Sequence, residues 1–449
     1  MSGHREDFSF HGLGELIDKT RELGLQLPFC EDLSPLARPV TLGSRTAPNR
    51  LAVHPMEGCD GTADGSPGEL TIRRYDRFAD GGAGLIWLEA VSVCREGRAN
   101  PRQLHINNDN WEDFARLAQR IRQRARAAWG GEPLLIMQLT HSGRFSRPEP
   151  GPLRPVLAYH SEPLDSKYGI DADAPLVTDA ELQRLEQEFA RAAALAKKAG
   201  FDGVDIKGCH RYLNSSLLSA HDRPGGYGGS FENRTRFFRN LVAGARQATG
   251  GEFLVTTRIN LYDGIEPWPK AWGMDESDPG RPDLTEPVRL LHEFAQGGMA
   301  LVNVTMGSPY FNPHVNRPFN RGEYAPPEHP LTGVARMMEG ARGVRAAIPQ
   351  LGTIATGYSY LRQFAPYLAA GMVRDDWTTL AGFGRMAFAY PDFARDILTR
   401  GELNSAKVCI ACSMCTTLMR MGGTAGCPVR DAGVYAKILS DLIRKGAQP

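Results

Sequence analysis

Short apolar runs alternate with longer amphipathic stretches along most of the chain. The runs are almost continuously hydrophobic, which is typical of strands buried on both faces of a parallel sheet. Eight runs of this kind occupy residues 50–55, 84–90, 134–139, 203–206, 253–259, 300–305, 351–355 and 378–381. The pattern therefore predicts eight parallel strands.

Amphipathic helical patterns separate these runs. The best defined begins at Thr178, which has Glu181 three residues later, the spacing of a capping box. Two further helical patterns, at 113–127 and 286–296, each precede an apolar run. Eight strand–helix units in succession predict an α/β fold, a TIM (β/α)8 barrel. A doubly wound dinucleotide-binding sheet would carry a G-x-G-x-x-G turn directly after a strand, and no such turn is found there.

Long polar segments at 140–177, 264–285 and 308–330 follow predicted strands, so we expect them at the catalytic, C-terminal end of the barrel. A short amphipathic helix is predicted at 435–445, where packing on the barrel is favoured over docking of a partner. The predicted organisation is a short N-terminal extension at 1–40, a barrel at 41–400 and a C-terminal tail at 401–449.

Composition and charge exclude several classes of partner. The chain has 52 basic and 51 acidic residues, a balance that offers no electrostatic footprint for nucleic acid or an anionic membrane. The N-terminus lacks the apolar core of a signal peptide, and no apolar run is long enough to span a bilayer. We therefore expect a cytoplasmic protein, and the sequence is compatible with a homo-oligomer.

Four of the eight cysteines cluster near the C-terminus, and clustering in a large chain favours metal ligation over disulfides. The four predicted ligands are Cys409, Cys412, Cys415 and Cys427. Three thiols at three-residue spacing, with a distant fourth followed by proline, resemble iron–sulfur ligation, with structural zinc and unrelated thiols as the alternatives. The other four are interpreted as packing residues, with a place in the site left open for the last: Cys30, Cys59, Cys94 and Cys209.

Specific strings follow the predicted strands. They are HPMEG at 54–58, QLTHSGR at 138–144, DIKGCHRYL at 205–213, YGGSFENR at 227–234 and GFGR at 382–385. In order and spacing they resemble the Old Yellow Enzyme family of FMN-dependent NADH:flavin oxidoreductases. With the cysteine tail, the chain is similar to the iron–sulfur branch that contains 2,4-dienoyl-CoA reductase and trimethylamine dehydrogenase.

The resemblance implies FMN and one 4Fe-4S cluster as cofactors. Those relatives carry a further C-terminal nucleotide-binding region, which we do not expect here because only 22 residues follow Cys427. Electrons would then pass through an external electron-transfer protein, or NAD(P)H would reduce the FMN over the barrel mouth.

FMN needs a cation near its pyrimidine edge, because hydride uptake leaves negative charge there. Arg258 can supply the cation, and Gln138 can donate to and accept from that edge. Pairing of Arg258 with a carboxylate and satisfaction of Gln138 by backbone are the alternatives. Contacts with the flavin ring are expected from the ends of the first two strands, at Pro55, Met56, Glu57 and Ala90. A phosphate site is expected in the last two loops, at Gly357, Gly382, Gly384 and Arg385.

Lys207, His210 and Tyr212 occupy the positions at which the family presents two carbonyl-binding side chains and a proton-donating tyrosine. The resemblance implies that His210 is a donor and Tyr212 the general acid. Lys207 departs from the family, as does Glu57, and we predict that these two side chains form an ion pair. Pairing of Lys207 with Asp205, contact with a substrate carboxylate, or extension of its side chain from the rim are the alternatives.

The leading function is reduction of an activated C=C bond in a small molecule, with hydride from flavin N5 and a proton from Tyr212. His210 and Lys207 would stabilise the enolate that develops. The alternatives are an amine or C–H dehydrogenase or demethylase with electrons leaving through the cluster, and an electron-transfer subunit with a structural cluster. Substrate specificity, or only loop packing, is expected at Tyr310, Asn312 and His314.

Overall fold

Eight parallel strands close into a barrel in the computed structural model, which describes residues 7–265 and 271–446. Residues 1–6 of the predicted extension, 266–270 of the predicted loop and 447–449 of the tail lie outside the described residues. The strands are β1 (Val40–Leu42), β2 (Arg45–Ala47), β3 (Leu51–Val53), β4 (Leu85–Ser92), β5 (Leu134–Thr140), β6 (Gly203–Ile206), β7 (Leu254–Asn260), β8 (Leu301–Thr305), β9 (Gly352–Ala355) and β10 (Leu380–Phe383).

The barrel order is β10-β3-β4-β5-β6-β7-β8-β9, and every neighbouring pair is parallel. Each of the eight predicted apolar runs is one of these strands, displaced by at most two residues at either end. The α/β class and the TIM barrel predicted from the sequence are therefore confirmed.

Helices surround the barrel and cover its ends. In chain order they are α1 (Leu13–Glu22), α2 (Ser34–Ala37), α3 (Glu69–Asp80), α4 (Trp111–Trp129), α5 (Glu162–Tyr168), α6 (Asp179–Lys198), α7 (Leu213–Leu217), α8 (Phe231–Arg234), α9 (Arg236–Thr249), α10 (Thr285–Gln296), α11 (Pro313–Asn316), α12 (Pro330–Ala347), α13 (Ala365–Arg374), α14 (Arg385–Ala389), α15 (Phe393–Arg400), α16 (Met414–Arg420) and α17 (Ala432–Arg444). Within the described ranges, no helix is both long and apolar enough to cross a membrane.

The predicted capping box is present at the start of α6. The Thr178 hydroxyl accepts a hydrogen bond from the Glu181 amide, and the Thr178 amide donates to Glu181 Oε2 at 2.8 Å. The helical patterns at 113–127 and 286–296 lie within α4 and α10, and the tail helix predicted at 435–445 is α17.

An antiparallel hairpin of β1 and β2 was not predicted. Leu42 and Ala47 of the hairpin are buried in the same apolar cluster as Leu85, Leu134 and Leu301, which stand near the starts of barrel strands. The hairpin therefore closes the N-terminal end of the barrel. Its strands of three residues are too short to show a hydrophobic period, and the predicted boundary between residues 40 and 41 falls inside β1.

The cysteine tail packs across the opposite, C-terminal end. The Ala425 amide donates to the carbonyl of Gly58 at 2.6 Å, directly after the HPME segment that follows β3. Asp431 pairs with both Arg73 and Arg77 of α3. These contacts bring the tail against the strand ends, where the candidate site residues lie.

Candidate functional site

A cavity of about 490 Å³ lies at the C-terminal ends of the barrel strands, within the size range of small-molecule and cofactor sites. Most residues predicted for the site line it: Pro55, Met56, Glu57, Gln138, Lys207, His210, Tyr212, Arg258, Gly357, Gly384 and Arg385. Ala90 and Gly382 are buried outside this lining. A Cβ at Gly382 would stand 2.1 Å from Nε2 of His54, so this glycine makes room for a side chain that does line the cavity.

A buried carboxylate inside the barrel orients two of these side chains. Asp205 accepts hydrogen bonds from Trp87 Nε1 at 2.8 Å, Gln138 Nε2 at 2.6 Å and the Arg258 amide at 2.6 Å. Burial nevertheless raises the pKa of Asp205 to about 6. Asp205 thereby holds Gln138 by its amide nitrogen and secures the strand position that carries Arg258. From the sequence alone, Asp205 was expected in the site only as an alternative ion-pair partner of Lys207.

Cations predominate in the wall of the cavity. Seven basic side chains and two carboxylates line it, although the charges of the whole chain nearly cancel. Arg258 Nε and Arg385 Nη1 are buried without a hydrogen-bond partner among the described residues. Burial, and then the neighbouring Arg385, lower the pKa of Arg317 to about 10. Buried cations without carboxylates are costly unless an anionic ligand compensates them, so the wall is suited to one.

The same wall meets the steric requirements of a flavin nucleotide. A Cβ at Gly384 would stand 2.9 Å from the Met56 sulfur, so glycine lets this loop pack closely against Met56. Gly357 has a φ of 116°, which other residues rarely adopt. The guanidinium nitrogens without partners on Arg258 in β7 and Arg385 after β10, together with these glycines, fit the charged edge and the phosphate of FMN.

Glu57 and Lys207 form the ion pair predicted from the sequence. Lys207 Nζ lies 3.4 Å from Glu57 Oε1, and Lys207 is buried. The Tyr212 hydroxyl donates to the same carboxylate oxygen at 3.2 Å and lies 2.7 Å from the Tyr310 hydroxyl. Lys207 Nζ also lies 3.9 Å from the centre of the Tyr212 ring. One carboxylate, one ammonium group and two phenols therefore form a connected group.

His210 lies at the end of β6 in a left-handed conformation, with a φ of 66°. Burial, and then Arg258, lower the pKa of His210 well below its usual value, so the ring is neutral near pH 7. The Asn316 amide nitrogen lies 3.2 Å from His210 Nε2 and 3.1 Å from the Met306 carbonyl. Since the amide nitrogen donates to both, Nε2 accepts and the imidazole proton resides on Nδ1.

Of the three residues predicted for the site in the segment after β8, only Tyr310 lines the cavity. Its ring stacks on Phe145 with centroids 4.0 Å apart. Asn312 instead braces the loop, because its side chain accepts from the Ser308 amide and donates to the Asp263 carbonyl. His314 lines no part of this cavity and hydrogen-bonds to the Tyr324 hydroxyl.

Several lining residues were not predicted. They come mainly from the long loops and the tail: Phe145, Tyr168, Asn316, Arg317, Thr416, Met419 and Arg420. Phe145 directly follows the QLTHSGR string, which was the only available signal for it. The others reach the cavity through tertiary packing, for example Arg420, which pairs with Glu323 and donates to the Pro309 carbonyl.

The four tail cysteines line one small second cavity. Ala411 and Ser413, between the first three, have φ values of 52° and 59°, and the loop curls around this cavity. Amides of Ala411 and Arg430 donate to the sulfurs of Cys409 and Cys427 at 3.4 and 3.3 Å. As the side chains stand, no group of three or more His, Cys, Asp or Glu in residues 7–265 and 271–446 is arranged to hold a metal ion.

The two cavities share part of their walls. Arg385, Phe388 and Cys415 line both of them. Burial raises the pKa of Cys409 to about 12, against a smaller lowering by Arg385. The two cavities are therefore adjacent, and Cys415 is exposed to both.

The free energy of unfolding is expected to fall as the pH drops from about 7 to about 5. Burial lowers the pKa of five histidines, so the unfolded chain binds more protons in this range: His54, His105, His141, His210 and His314. Burial raises the pKa of Glu89 to about 7 and of Asp205 to about 6, which opposes the trend with fewer groups. Urea unfolding at pH 7, 6 and 5 measures this free energy. A midpoint urea concentration that rises toward pH 5 would contradict the expected loss of stability.

The chain matches the NADH:flavin oxidoreductase / NADH oxidase family over residues 35–277. It is 34% identical over 261 residues to an NADPH dehydrogenase of Bacillus pumilus, covering 54% of this chain and 72% of that protein. Among solved structures, a 2-naphthoyl-CoA reductase complex gives a TM-score of 0.68 at 17% identity, with 89% of this chain covered. Histamine dehydrogenase from Rhizobium sp. 4-9 gives 0.65 at 19% identity, with 88% covered.

The chain spans 57% of the length of the 2-naphthoyl-CoA reductase chain and 52% of histamine dehydrogenase. At such low identity these two structures support the fold, and the family match rests on sequence. That match covers more than half of the chain and includes β3 to β7, and about half of the residues that line the cavity lie within it. The protein belongs to the NADH:flavin oxidoreductase / NADH oxidase family of Old Yellow Enzyme-like, FMN-dependent enzymes.

Proposed function

We propose that the protein uses FMN and a 4Fe-4S cluster to reduce an activated C=C bond of a small molecule. The observation that carries this proposal is the Tyr212 hydroxyl, which lines the cavity beside Lys207 and His210. An acid and two electrophilic groups on one wall are what reduction of a carbonyl-conjugated alkene requires. The electron source is NAD(P)H or an external electron-transfer protein.

FMN, when bound, supplies hydride to the β-carbon of the substrate. Arg258 and Gln138 would hold its pyrimidine edge, since Arg258 Nε has no hydrogen-bond partner among the described residues and Asp205 orients Gln138. Arg385 would hold the phosphate beside Gly357 and Gly384, with Arg317 as a second cation in the same region. Backbone at Pro55, Met56, Glu57, Ala90 and Gly382 completes the proposed cofactor contacts.

The substrate carbonyl would bind to Lys207 and to Nδ1–H of His210. The negative charge that develops on its oxygen favours a cation and a neutral donor in a site closed to water. Tyr212 would protonate the α-carbon. Burial, followed by the effect of Glu57, raises the pKa of Tyr212 well above its usual value, so the hydroxyl carries its proton at neutral pH.

We assign the tail at 401–449 to the cluster, with Cys409, Cys412, Cys415 and Cys427 as ligands. Two amide–sulfur hydrogen bonds and the apolar setting are typical of iron–sulfur surroundings, and four thiols at one cavity supply the donor set. Structural zinc requires the same four thiols and is the alternative. Because Cys415 also lines the barrel cavity, the proposed cluster lies next to the proposed flavin site.

A second candidate is oxidation of an amine or C–H bond, or demethylation, with electrons leaving through the cluster. The hydrogen bond from Tyr212 to Glu57 favours it, because a carboxylate partner equips the tyrosine to accept a proton from a substrate. The same cavity and cofactors serve both directions of electron flow.

Anaerobic mixing with two substrate panels distinguishes these proposals. Protein reduced with NAD(P)H is mixed with enones and enoates, and oxidised protein is mixed with tertiary amines, while flavin absorbance is followed. Reoxidation by enones supports reduction, and bleaching by amines supports oxidation. If neither occurs and reductive titration shows no reducible cluster signal, the result supports the electron-transfer subunit with a structural cluster.

A further inference from the structure

We propose that Tyr310 is a second catalytic residue, which passes its proton to Tyr212 as Tyr212 protonates the substrate, while Glu57 and Lys207 hold Tyr212 in line for this transfer. The inference rests on the reduction proposed above. It concerns side chains that depart from the family pattern, Glu57 and Lys207, and a tyrosine supplied by the loop after β8.

The hydrogen bonds of the two phenols have only one consistent direction. Glu57 accepts from the ammonium group of Lys207, so its carboxylate is an acceptor toward Tyr212. Tyr212 has a single proton and donates it to Glu57. The 2.7 Å contact between the two hydroxyls must therefore be donated by Tyr310. Protons are thus aligned from Tyr310 through Tyr212 to Glu57.

The surroundings keep this alignment rigid. The Tyr310 ring stacks on Phe145, and the Tyr168 hydroxyl donates to the Tyr310 carbonyl at 2.9 Å. Tyr212 is almost fully buried, whereas Tyr310 is partly exposed. Tyr310 therefore has the greater access to solvent, and we assign to it the proton exchange with water that restores the pair.

Lys207 makes loss of the Tyr212 proton feasible. Its Nζ lies 3.9 Å from the Tyr212 ring centre and 3.4 Å from Glu57 Oε1. A cation at this distance stabilises negative charge on the phenol, particularly where water is excluded. The ion pair with Glu57 fixes the position of Lys207, so Glu57 is a positioning residue as well as the acceptor of the resting hydrogen bond.

The proposed sequence balances atoms and charge. Hydride derived from NAD(P)H forms the C–H bond at the β-carbon, and the electron pair of the C=C bond moves to the enolate. The O–H bond of Tyr212 breaks as a C–H bond forms at the α-carbon. In the same step the Tyr212 oxygen takes the proton of the Tyr310 hydroxyl, and Tyr310 afterwards takes a proton from water. The net change is addition of one hydride and one proton.

The test uses the full-length protein with its FMN and the variant Tyr310→Phe, which keeps the ring that stacks on Phe145. Mixing of the reduced enzyme with an enone is expected to slow by about tenfold or more, while reduction by NAD(P)H keeps its rate. Rates in H₂O–D₂O mixtures should report two protons in the wild type and one in the variant. Tyr367→Phe, at a residue outside the cavity, is the matched control.

Two further readouts separate a relay from simple packing. Tyr310→Phe should add little once Tyr212 is phenylalanine, because Tyr310 acts only through Tyr212. In protein labelled with carbon-13 at the tyrosine Cζ, the Tyr212 resonance should shift in Tyr310→Phe and stay unchanged in Tyr367→Phe. The NMR readout does not depend on turnover.

The outcomes distinguish failure of the relay from failure of the proposed function. Wild-type rates and an unchanged proton count in Tyr310→Phe, with enone reduction intact, overturn the relay and leave the function standing. Additive losses in the double variant also overturn the relay. Absence of enone reduction in the wild type overturns both.

Discussion

Cys412→Ser is expected to yield protein that retains FMN but has lost its iron and sulfide. A 4Fe-4S cluster binds through four thiolates, and serine offers a much poorer ligand to iron. Cys412 lines only the small cavity, so its replacement leaves the wall of the flavin cavity unchanged, whereas Cys415 lines both. Iron and acid-labile sulfide should fall from about four of each per chain to near zero, as measured by elemental and colorimetric analysis.

Cys30→Ser is the matched control, because Cys30 lies far along the chain from the tail and its thiol donates to the Asp32 carbonyl. This variant should keep iron, sulfide and FMN. If elemental analysis finds one zinc and no iron per chain, the tail holds a structural zinc ion and the cluster proposal is wrong. Iron unchanged in Cys412→Ser would remove this cysteine from the ligand set.

Tyr212→Phe is expected to slow reduction of an enone by about 10²- to 10⁴-fold, the usual contribution of a general acid. The substitution removes only the hydroxyl, which donates to Glu57 and contacts Tyr310. The ion pair of Glu57 with Lys207 does not depend on that hydroxyl and should persist. Stopped-flow reoxidation of the reduced enzyme by the enone measures the loss.

Reduction of the flavin by NAD(P)H should keep its rate in Tyr212→Phe, since hydride transfer between the nicotinamide and the flavin needs no proton from this hydroxyl. A variant that reduces enones at the wild-type rate would show that another group protonates the substrate. Equal slowing of both half-reactions would indicate that Tyr212 shapes the cavity and is not the acid.

Much of the fold could be predicted because the burial of a strand is visible in the hydrophobicity of its own residues. A barrel strand buried on both faces is apolar throughout, so all eight strands stand out at their correct positions. The capping box at Thr178 and Glu181 is equally local, since both partners lie within one helical turn. The hairpin of β1 and β2 has strands of only three residues, and its place beneath the barrel depends on contacts with distant strands.

The candidate site divides in the same way. Strand-end residues such as Gln138, Arg258 and Tyr212 follow from their position after an apolar run, because parallel strands bring their C-terminal ends to one face. The pairing of Glu57 with Lys207 followed from charge alone, since a carboxylate and an ammonium group at one strand-end layer favour each other's charged forms. The spacing of the tail cysteines is likewise explicit in the sequence.

What the sequence determined by itself is therefore the barrel, the strand-end chemistry and the presence of a four-cysteine tail, because each depends on local order or spacing. Only the tertiary structure decided that Tyr310 contacts Tyr212, that Asn316 sets the proton of His210, and that Cys415 lines both cavities. These pairs are separated by about a hundred residues or more and come from loops and the tail. Their proximity arises when the chain packs over the barrel mouth, which no local pattern encodes.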